Sequence, residues 1–162
     1  MKEIQLTAGG IALVDDEDFE RVTAEGGWYA SESLNTFYAR RVYHLGGRSY
    51  TTRNMHNFIT GLSYVDHING DGLDNRRANL RPATASQNQA NQRKRRDNTS
   101  GFRGVQWHAP GKRWRAVIRV KGKLHSLGYY QTPEEAALAY DVAAIKFFGE
   151  YASPNFPQEK TA

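Results

Sequence analysis

Apolar and polar residues alternate in short runs over most of the first sixty positions: IQLT, GIALVD, GWYAS, TFYARRVYH and RSYTT. A period of two sends successive side chains to opposite faces of a strand. These runs therefore predict a small antiparallel sheet, with turns at Gly9-Gly10, Gly26-Gly27 and Gly46-Gly47. DFERVTA, behind the acidic run Asp15 to Asp18, predicts a short helical turn, and MHNFITGL, residues 55 to 62, a short apolar helix in which His56 packs or caps. After Leu80 the chain turns polar, RPATASQNQANQRKRRDNTSG, with no apolar stripe. Thr84 followed three residues later by Gln87 forms a capping box that opens a helix with Asn88 in its first turns, and RKRRDNTSG reads as a basic linker. From Phe102 come three strand-length runs, FRGVQWH, WRAVIRVK and KLHSLGYY, the last two joined across Lys121-Gly122 like a tight hairpin. Thr132-Pro133-Glu134-Glu135 combines an N-cap, a proline at the first helical position and a capping-box glutamate, so a helix runs through EEAALAYDVAAIKFF and stops at Gly149. Its alanines 136, 137, 139, 143 and 144 let it lie close to the sheet, with Tyr140 and Phe147 filling the remaining space. The expected fold class is α+β: a strand-rich unit over residues 1–92, a linker at 93–99, a unit of three antiparallel strands and one helix at 100–157, and a tail at 158–162.

Composition supports two folded units. The 162 residues are 39% apolar and 24% charged, with the tryptophans and tyrosines spread along the chain. There is no cysteine, which excludes disulfide frameworks, thiolate zinc sites and thiol catalysis. MKEIQLTAGG lacks the apolar run of a signal peptide and no stretch has the length of a membrane span, so the expectation is a soluble, intracellular, cytoplasmic protein.

Charge changes the picture more. The net +5 is modest, but from Arg93 to Pro133 there are eleven basic residues and one acid, Asp97. In RWRAVIRVK, Arg113, Arg115, Arg119 and Lys121 share one strand face, and Trp114, Ala116, Ile118 and Val120 the other. An ordinary solvated face mixes signs; a cationic one points to a polyanion, and a two- or three-stranded sheet fits the DNA major groove. GFRGVQWHAPGKRWRAVIRV followed by LGYYQTPEEAALAYDVAAIKFFGEYASPNFP resembles the plant ethylene-response-factor (Apetala-type) DNA-binding domain, over about residues 99 to 157. The resemblance implies a three-stranded sheet in the major groove, with Arg103, Arg113 and Arg119 at matching contact positions; Arg115 and Lys121 of the cationic strand face, and Lys123 beyond the turn, are further DNA-binding candidates. Gln106 and His108 stand where the plant domains carry further arginines, and Ser126 where they carry a tryptophan; the docking mode is carried over, the plant target is not.

The remaining candidate chemistry lies in VDHINGDGLDNRRANL, residues 65 to 80. An EF-hand reading fails on spacing, because counting from Asp66 puts Ile68 at the third position and counting from Asn69 puts Leu80 at the twelfth. A plain turn accounts for Asn69-Gly70 and Asp71-Gly72 but not for Asp66-His67, Asn79 and Asn88. Asp66 and Asn88 offer oxygen ligands for a hard cation. On an ideal pleat His67 points away from Asp66, so a twist or bulge is expected if both face one substrate. The arginines Arg76, Arg77 and Arg81 either neutralise phosphate or are simply solvated. For the acidic cluster Asp15-Asp16-Glu17-Asp18 the preferred reading is complementation of a helix start rather than a metal site.

VDHINGD, NRRANLR and ASQNQANQ, over about residues 55 to 92, resemble the HNH nuclease family, specifically its phage and intron-encoded homing type. MHNFI is similar to the family's His-Arg-Leu-Ile helix without its arginine. The resemblance implies a β-β-α-metal unit in which Asp66 and Asn88 bind one Mg²⁺ or Mn²⁺, His67 is the general base and Asn79 braces the loop and orients His67, with Asn75 an alternative for that bracing. It also implies double-stranded DNA as substrate, a 5′ phosphate and a 3′ hydroxyl as products, a phage or mobile-element setting in a bacterial or phage-infected cell, and a monomer or weak dimer without a further protein partner. The rival expectation is a non-catalytic, sequence-specific DNA-binding regulator that keeps the Asp-His loop only as a fold element; an RNA-binding module is weaker, since the aromatics form no obvious stacking platform.

Overall fold

A computed structural model describes residues 1–7, 9–33, 36–91 and 98–156. The expected tail at 158–162 and most of the expected linker, residues 93–97, lie outside the described residues. The fold is α+β, with small antiparallel sheets and few helices. The chain divides into two compact units, Met1–Thr84 and Ala85–Ala162.

The first unit opens with two short strands, β1 (Lys2–Gln5) and β2 (Ile11–Val14), paired antiparallel across the Gly9-Gly10 turn. Helix α1 (Asp16–Ala24) follows, with three acids in its first turn. Strands β3 (Tyr29–Ser33), β4 (Thr36–Gly46) and β5 (Ser49–Asn54) form a separate sheet in the order β3-β4-β5, so the expected single sheet is in fact two. Helix α2 (Met55–Thr60) ends at Gly61, whose φ of 73° is a left-handed C-cap that glycine adopts without strain. A short hairpin of β6 (Val65–His67) and β7 (Leu80–Pro82) closes the unit. The core joins Ile4, Leu6, Ala12, Val14, Val22, Trp28, Ala39, Met55 and Ile59, with Leu73 and Leu80 packed against it. Trp28 satisfies its indole N–H at the Val22 carbonyl, 2.9 Å away. Met55 is fully buried, a contribution of about 1.5–3 kcal/mol that anchors α2, and with it His56, to the strands.

The second unit begins with α3 (Ala85–Asn91), directly after Thr84, and continues with β8 (Val105–His108), β9 (Arg113–Val120) and β10 (Lys123–Tyr130), a sheet in the order β10-β9-β8. Helix α4 (Pro133–Phe148) carries the full capping box of Thr132 with Glu135. Ala136, Ala137, Ala143 and Ala144 are buried against the sheet together with Tyr140. The aromatic that completes this core is Phe148 rather than Phe147, which is 46% exposed. Close approach is enforced at Gly104, where a Cβ would run into the Tyr140 ring and the Val117 carbonyl. The chain end is clasped by the buried Asp141: its Oδ1 accepts from the Asn155 N–H at 2.7 Å and its Oδ2 from the Phe156 N–H at 2.9 Å.

Candidate active site and nucleic-acid interface

The β6-β7 hairpin pairs Val65 with Pro82, Asp66 with Arg81 and His67 with Leu80 in unbroken register. The expected bulge is not present in these three pairs. Directly paired side chains share a sheet face. Asp66 therefore lies with Arg81, whose Nε and Nη2 both donate to its Oδ2 at 2.9 and 2.7 Å, while His67 faces the other way. Asp66 is 6% and His67 5% exposed.

The loop between the strands is built by its own polar side chains. Asn79 Nδ2 donates to the Asp74 carbonyl at 2.8 Å and to Asn69 Oδ1 at 3.0 Å, and its Oδ1 accepts from the Asn69 N–H at 3.0 Å. Asp71 and Asn69 make the local side-chain to backbone bonds that turn-forming residues favour. The loop is fastened to the rest of its unit at several points. Leu13 and Asn75 exchange backbone bonds with the β2 edge and the loop, Leu13 N–H to the Leu73 carbonyl and Asn75 N–H to the Leu13 carbonyl, each 2.8 Å. Gly72 sits so tightly against β4 that a Cβ would strike the Phe37 carbonyl and the Tyr38 ring.

His67 enters a small aromatic nest. Its ring centroid is 4.8 Å from that of His56, edge to face, and 5.7 Å from that of Tyr38, which also meets His56 at 5.6 Å. Its Nε2 lies 3.4 Å from Oδ1 of Asn75, which is wholly buried. Desolvation lowers the His67 pKa below the ordinary histidine value, against the opposing pull of Asn75 and of Asp66, Asp71 and Asp74. Burial presses His56 down to about 3. Both imidazoles are neutral at pH 7. Two asparagines thus divide the work that the sequence offered to one: Asn79 ties the loop, and Asn75 meets the ring.

The three arginines of this region are engaged within the protein. Arg81 holds Asp66; Arg76 grips Asp74 through Nε and Nη2, both at 2.7 Å, a bond that holds the Asp74 carboxyl below the usual carboxylate range. Arg77 reaches back to α1, donating to Asp18 from Nε at 2.7 Å and Nη2 at 2.9 Å, with its backbone N–H on Asp15 at 2.7 Å. Burial pushes Asp18 upward, but Arg77 and Arg21 outweigh it and leave the carboxyl lowered. The acidic cluster of α1 therefore serves as the seat of the loop. Sequence alone offered one signal for Asp66-Arg81, opposite charges at symmetric positions of a hairpin. For Tyr38 beside His67 it offered none, since the two are brought together only by the fold.

Asn88 lies on α3, in the second unit, half-buried. In the same unit the strand registers sort the expected DNA-facing residues. Gln106 pairs with Arg115 and His108 with Arg113, which places these four on one face; Arg119 and its partner Leu124 continue it. Val105, Ala116 and Ile118 are buried on the opposite face. Arg113 and Arg119 are exposed, and Arg115 bonds Ser126 Oγ at 3.3 Å. Three residues depart from this arrangement. Lys121, at φ 48°, forms the turn with Gly122. Lys123 pairs with Val120 and so lies on the face opposite Arg119. Arg103 is turned into its own unit, donating to the Ala90 carbonyl at 3.0 Å and to Ser153 Oγ at 3.2 Å.

In comparison with known proteins, two family models match, the first across the Thr84-Ala85 boundary and the second within the second unit. The family model described as HNH endonuclease matches residues 63–90, and that of the AP2 domain matches residues 100–150. An uncharacterized HNH endonuclease of Acanthamoeba polyphaga mimivirus is 36% identical over 92 residues, 57% of this chain and 46% of that protein. Protein 3.8 of Escherichia phage T7 is 34% identical over 77 residues, 48% of this chain and 64% of that protein. An AP2-like ethylene-responsive transcription factor of Arabidopsis thaliana is 52% identical over 59 residues, 35% of this chain and 17% of that protein. The chain thus spans less than two thirds of each of these relatives.

Proposed function

We propose that this chain, which joins an HNH endonuclease segment to an AP2 domain, is a homing-type DNA endonuclease that hydrolyses phosphodiester bonds with a divalent metal and is held on its duplex by the sheet of its second unit. The observation that carries the reading is the buried His67 within the HNH-matched stretch, its ring held beside Asn75 at 3.4 Å and kept neutral by desolvation, with Asp66 on the other face of the same strand.

The donor set suits a hard cation. Asp66 of the first unit would supply carboxylate oxygen and Asn88, on α3 of the second, amide oxygen, and among the described residues no group of three or more His, Cys, Asp or Glu side chains is placed to hold an ion alone. Mg²⁺ or Mn²⁺, one per site, fits such a set because it retains water and accepts phosphate oxygen. When bound, the ion stabilises charge on the phosphate and on the departing 3′ oxygen. In the tautomer with the proton on Nε2, Asn75 Oδ1 accepts it at 3.4 Å and Nδ1 is the basic nitrogen. That nitrogen takes the proton of the water attacking phosphorus, and the products are a 5′ phosphate and a 3′ hydroxyl. Asn79 keeps the loop closed so that Asn75 stays on the ring. Arg81 keeps the Asp66 charge paired until substrate arrives.

On the second unit, Arg113, Arg115 and Arg119, with Gln106 and His108, face the major groove, and Lys121 and Lys123 at the hairpin end serve the backbone. Arg103 joins them only by giving up its bonds to Ala90 and Ser153. The chain acts as a monomer or weak dimer. Purified protein is expected to nick or cut DNA with Mg²⁺ or Mn²⁺, and His67→Ala to abolish cleavage while leaving DNA binding nearly intact. Tight binding of a selected duplex that stays uncut under every divalent metal tried would replace this reading with a non-catalytic regulator.

A further inference from the structure

Strand β4 has two halves with different surroundings. The first belongs to the candidate site: Tyr38 lies against the His56 and His67 rings, and Ala39 is in the core. The second runs out from the unit, tied back at its base where the Tyr43 hydroxyl donates to Glu25 Oε2 at 3.0 Å. Strand β3 pairs with β4 only as far as Tyr29↔Arg40, whereas β5 accompanies it from Arg40 to Gly46. Beyond Arg40 the sheet is therefore a bare two-stranded arm closed at Gly46-Gly47. Every residue from 42 to 53 is exposed except Tyr43, which is half-buried; Leu45 is 67% and Tyr50 68% exposed. A lone hairpin gains little stability by itself, and bare strand edges invite pairing, so an arm of this kind calls for a partner.

The charge of the arm selects that partner. Positions 33 to 65 contain no aspartate or glutamate but carry Arg40, Arg41, Arg48 and Arg53. Arg40 is held by Asn54 at 2.8 Å and Arg41 lies 3.8 Å from Glu25, so these two stay with the protein. Arg48 at the tip is exposed, and Arg53, also exposed, donates one bond to the Asn57 carbonyl at 3.3 Å. Arg53 also lies over the Phe58 ring at 5.3 Å, on the strand face opposite Tyr50. A ribbon without acids of its own, with an exposed arginine at its tip and an outward tyrosine, has the dimensions and sign for a DNA groove, and its long axis starts at the site. Eight residue steps separate Tyr38 from Gly46, ~26 Å at ~3.3 Å each, which corresponds to roughly eight base pairs at ~3.4 Å per step along a duplex.

The geometry points to a second DNA-contacting element, carried by the first unit: the ribbon 42–53 lies along a groove with Arg48 on phosphate at its tip, Tyr50 against the duplex and Arg53, on the other strand face, leaving the Asn57 carbonyl for the flanking backbone, and it registers the DNA relative to His67 from about eight base pairs away. The inference rests on DNA being the substrate, as proposed above.

The test uses the full chain and a long mixed-sequence duplex at low salt, without divalent metal. Hydrogen exchange is read across residues 42–53 with and without DNA, and duplex affinity is measured for Arg48→Glu and Arg53→Glu over a range of salt. The expected results are protection of 42–53 on DNA binding, a loss of affinity of about five- to tenfold per variant, and a salt slope shallower by about one for each phosphate contact removed. Unchanged exchange at 42–53 in the DNA complex, or variants that keep wild-type affinity and slope, overturns the assignment. Protection that follows protein concentration without DNA overturns it too, by assigning the arm to a second copy of the chain. Cleavage is read in neither arm of the test, so a chain that never cuts with Mg²⁺ or Mn²⁺ would defeat the nuclease reading alone.

Discussion

Burial fixes the protonation of the two histidines that meet in the first unit, and with it a pH window for stability. His56 ionises near 3 in the fold but near the ordinary 6.5 when unfolded, and burial lowers His67 as well. Below about 6.5 the unfolded chain takes up protons that the native state refuses. The native state then binds fewer protons, so stability is fully present above that pH and declines as pH falls toward about 3. Thermal melts should lose on the order of a few kcal/mol across this window, and His56→Gln should flatten part of the loss; equal pH dependence in both proteins would show that His56 is not its source. The two loop asparagines separate by a different measurement. Asn75→Ala should cut the cleavage rate about 10- to 100-fold while moving the melting temperature less, because it frees the His67 ring. Asn79→Ala strips the Asp74 carbonyl and Asn69 of their partner and should cost about 1–3 kcal/mol of stability first.

At the scale of elements, the loop 68–79 is held by α1 as much as by its own hairpin. Arg77→Ala removes two bonds to the buried Asp18 and should destabilise the first unit by about 1–3 kcal/mol in denaturant melts, less than a fully buried pair because Arg77 is half-exposed. An unchanged midpoint would mean that Arg21 alone satisfies Asp18. In the second unit, Gly104→Ala forces a Cβ into Tyr140 and Val117 at a left-handed φ and should cost on the order of 3 kcal/mol or more. Elements of this kind were legible where a local rule governs them. Thr132 and Glu135 announced α4, and strand alternation placed Arg113 and Arg119 opposite Ala116 and Ile118. Legibility failed where a choice depends on distant chain. Periodicity could not separate Phe147 from Phe148 at a helix end, because what decides it is the packing beneath α4. Lys123 left the cationic face because the Lys121-Gly122 turn resets the alternation. The strands of the first sixty residues were visible singly, but nothing local says that β1-β2 stands apart from β3-β4-β5. Asp66 and His67 stood out in the sequence as candidates; the Tyr38 and His56 rings beside His67 come from strands and helices whose assembly is not written in any short motif.

For the whole molecule, net +5 understates the local positive charge offered to a polyanion, since the cations are concentrated between Arg93 and Lys123 and three acids of the first unit, Asp18, Asp66 and Asp74, are each paired with an arginine. Arg119→Ala should weaken duplex binding or relax its preference without altering metal binding, and unchanged preference in target selection would remove the β9 face from the interface. The modular order of the chain also invites exchange of the DNA-reading unit, and here the membership of α3 has a practical outcome. Ala90 shares a core with Ile118, Tyr140 and Phe148, and its carbonyl receives Arg103. A chimera spliced in the basic stretch after residue 91 would strand that helix beside a foreign partner and leave the grafted sheet with an open flank. A splice at Thr84-Ala85, where the chain passes from one folded body to the other, spares that core but removes Asn88 and the end of the HNH-matched stretch, so the grafted unit must bring its own asparagine at that position.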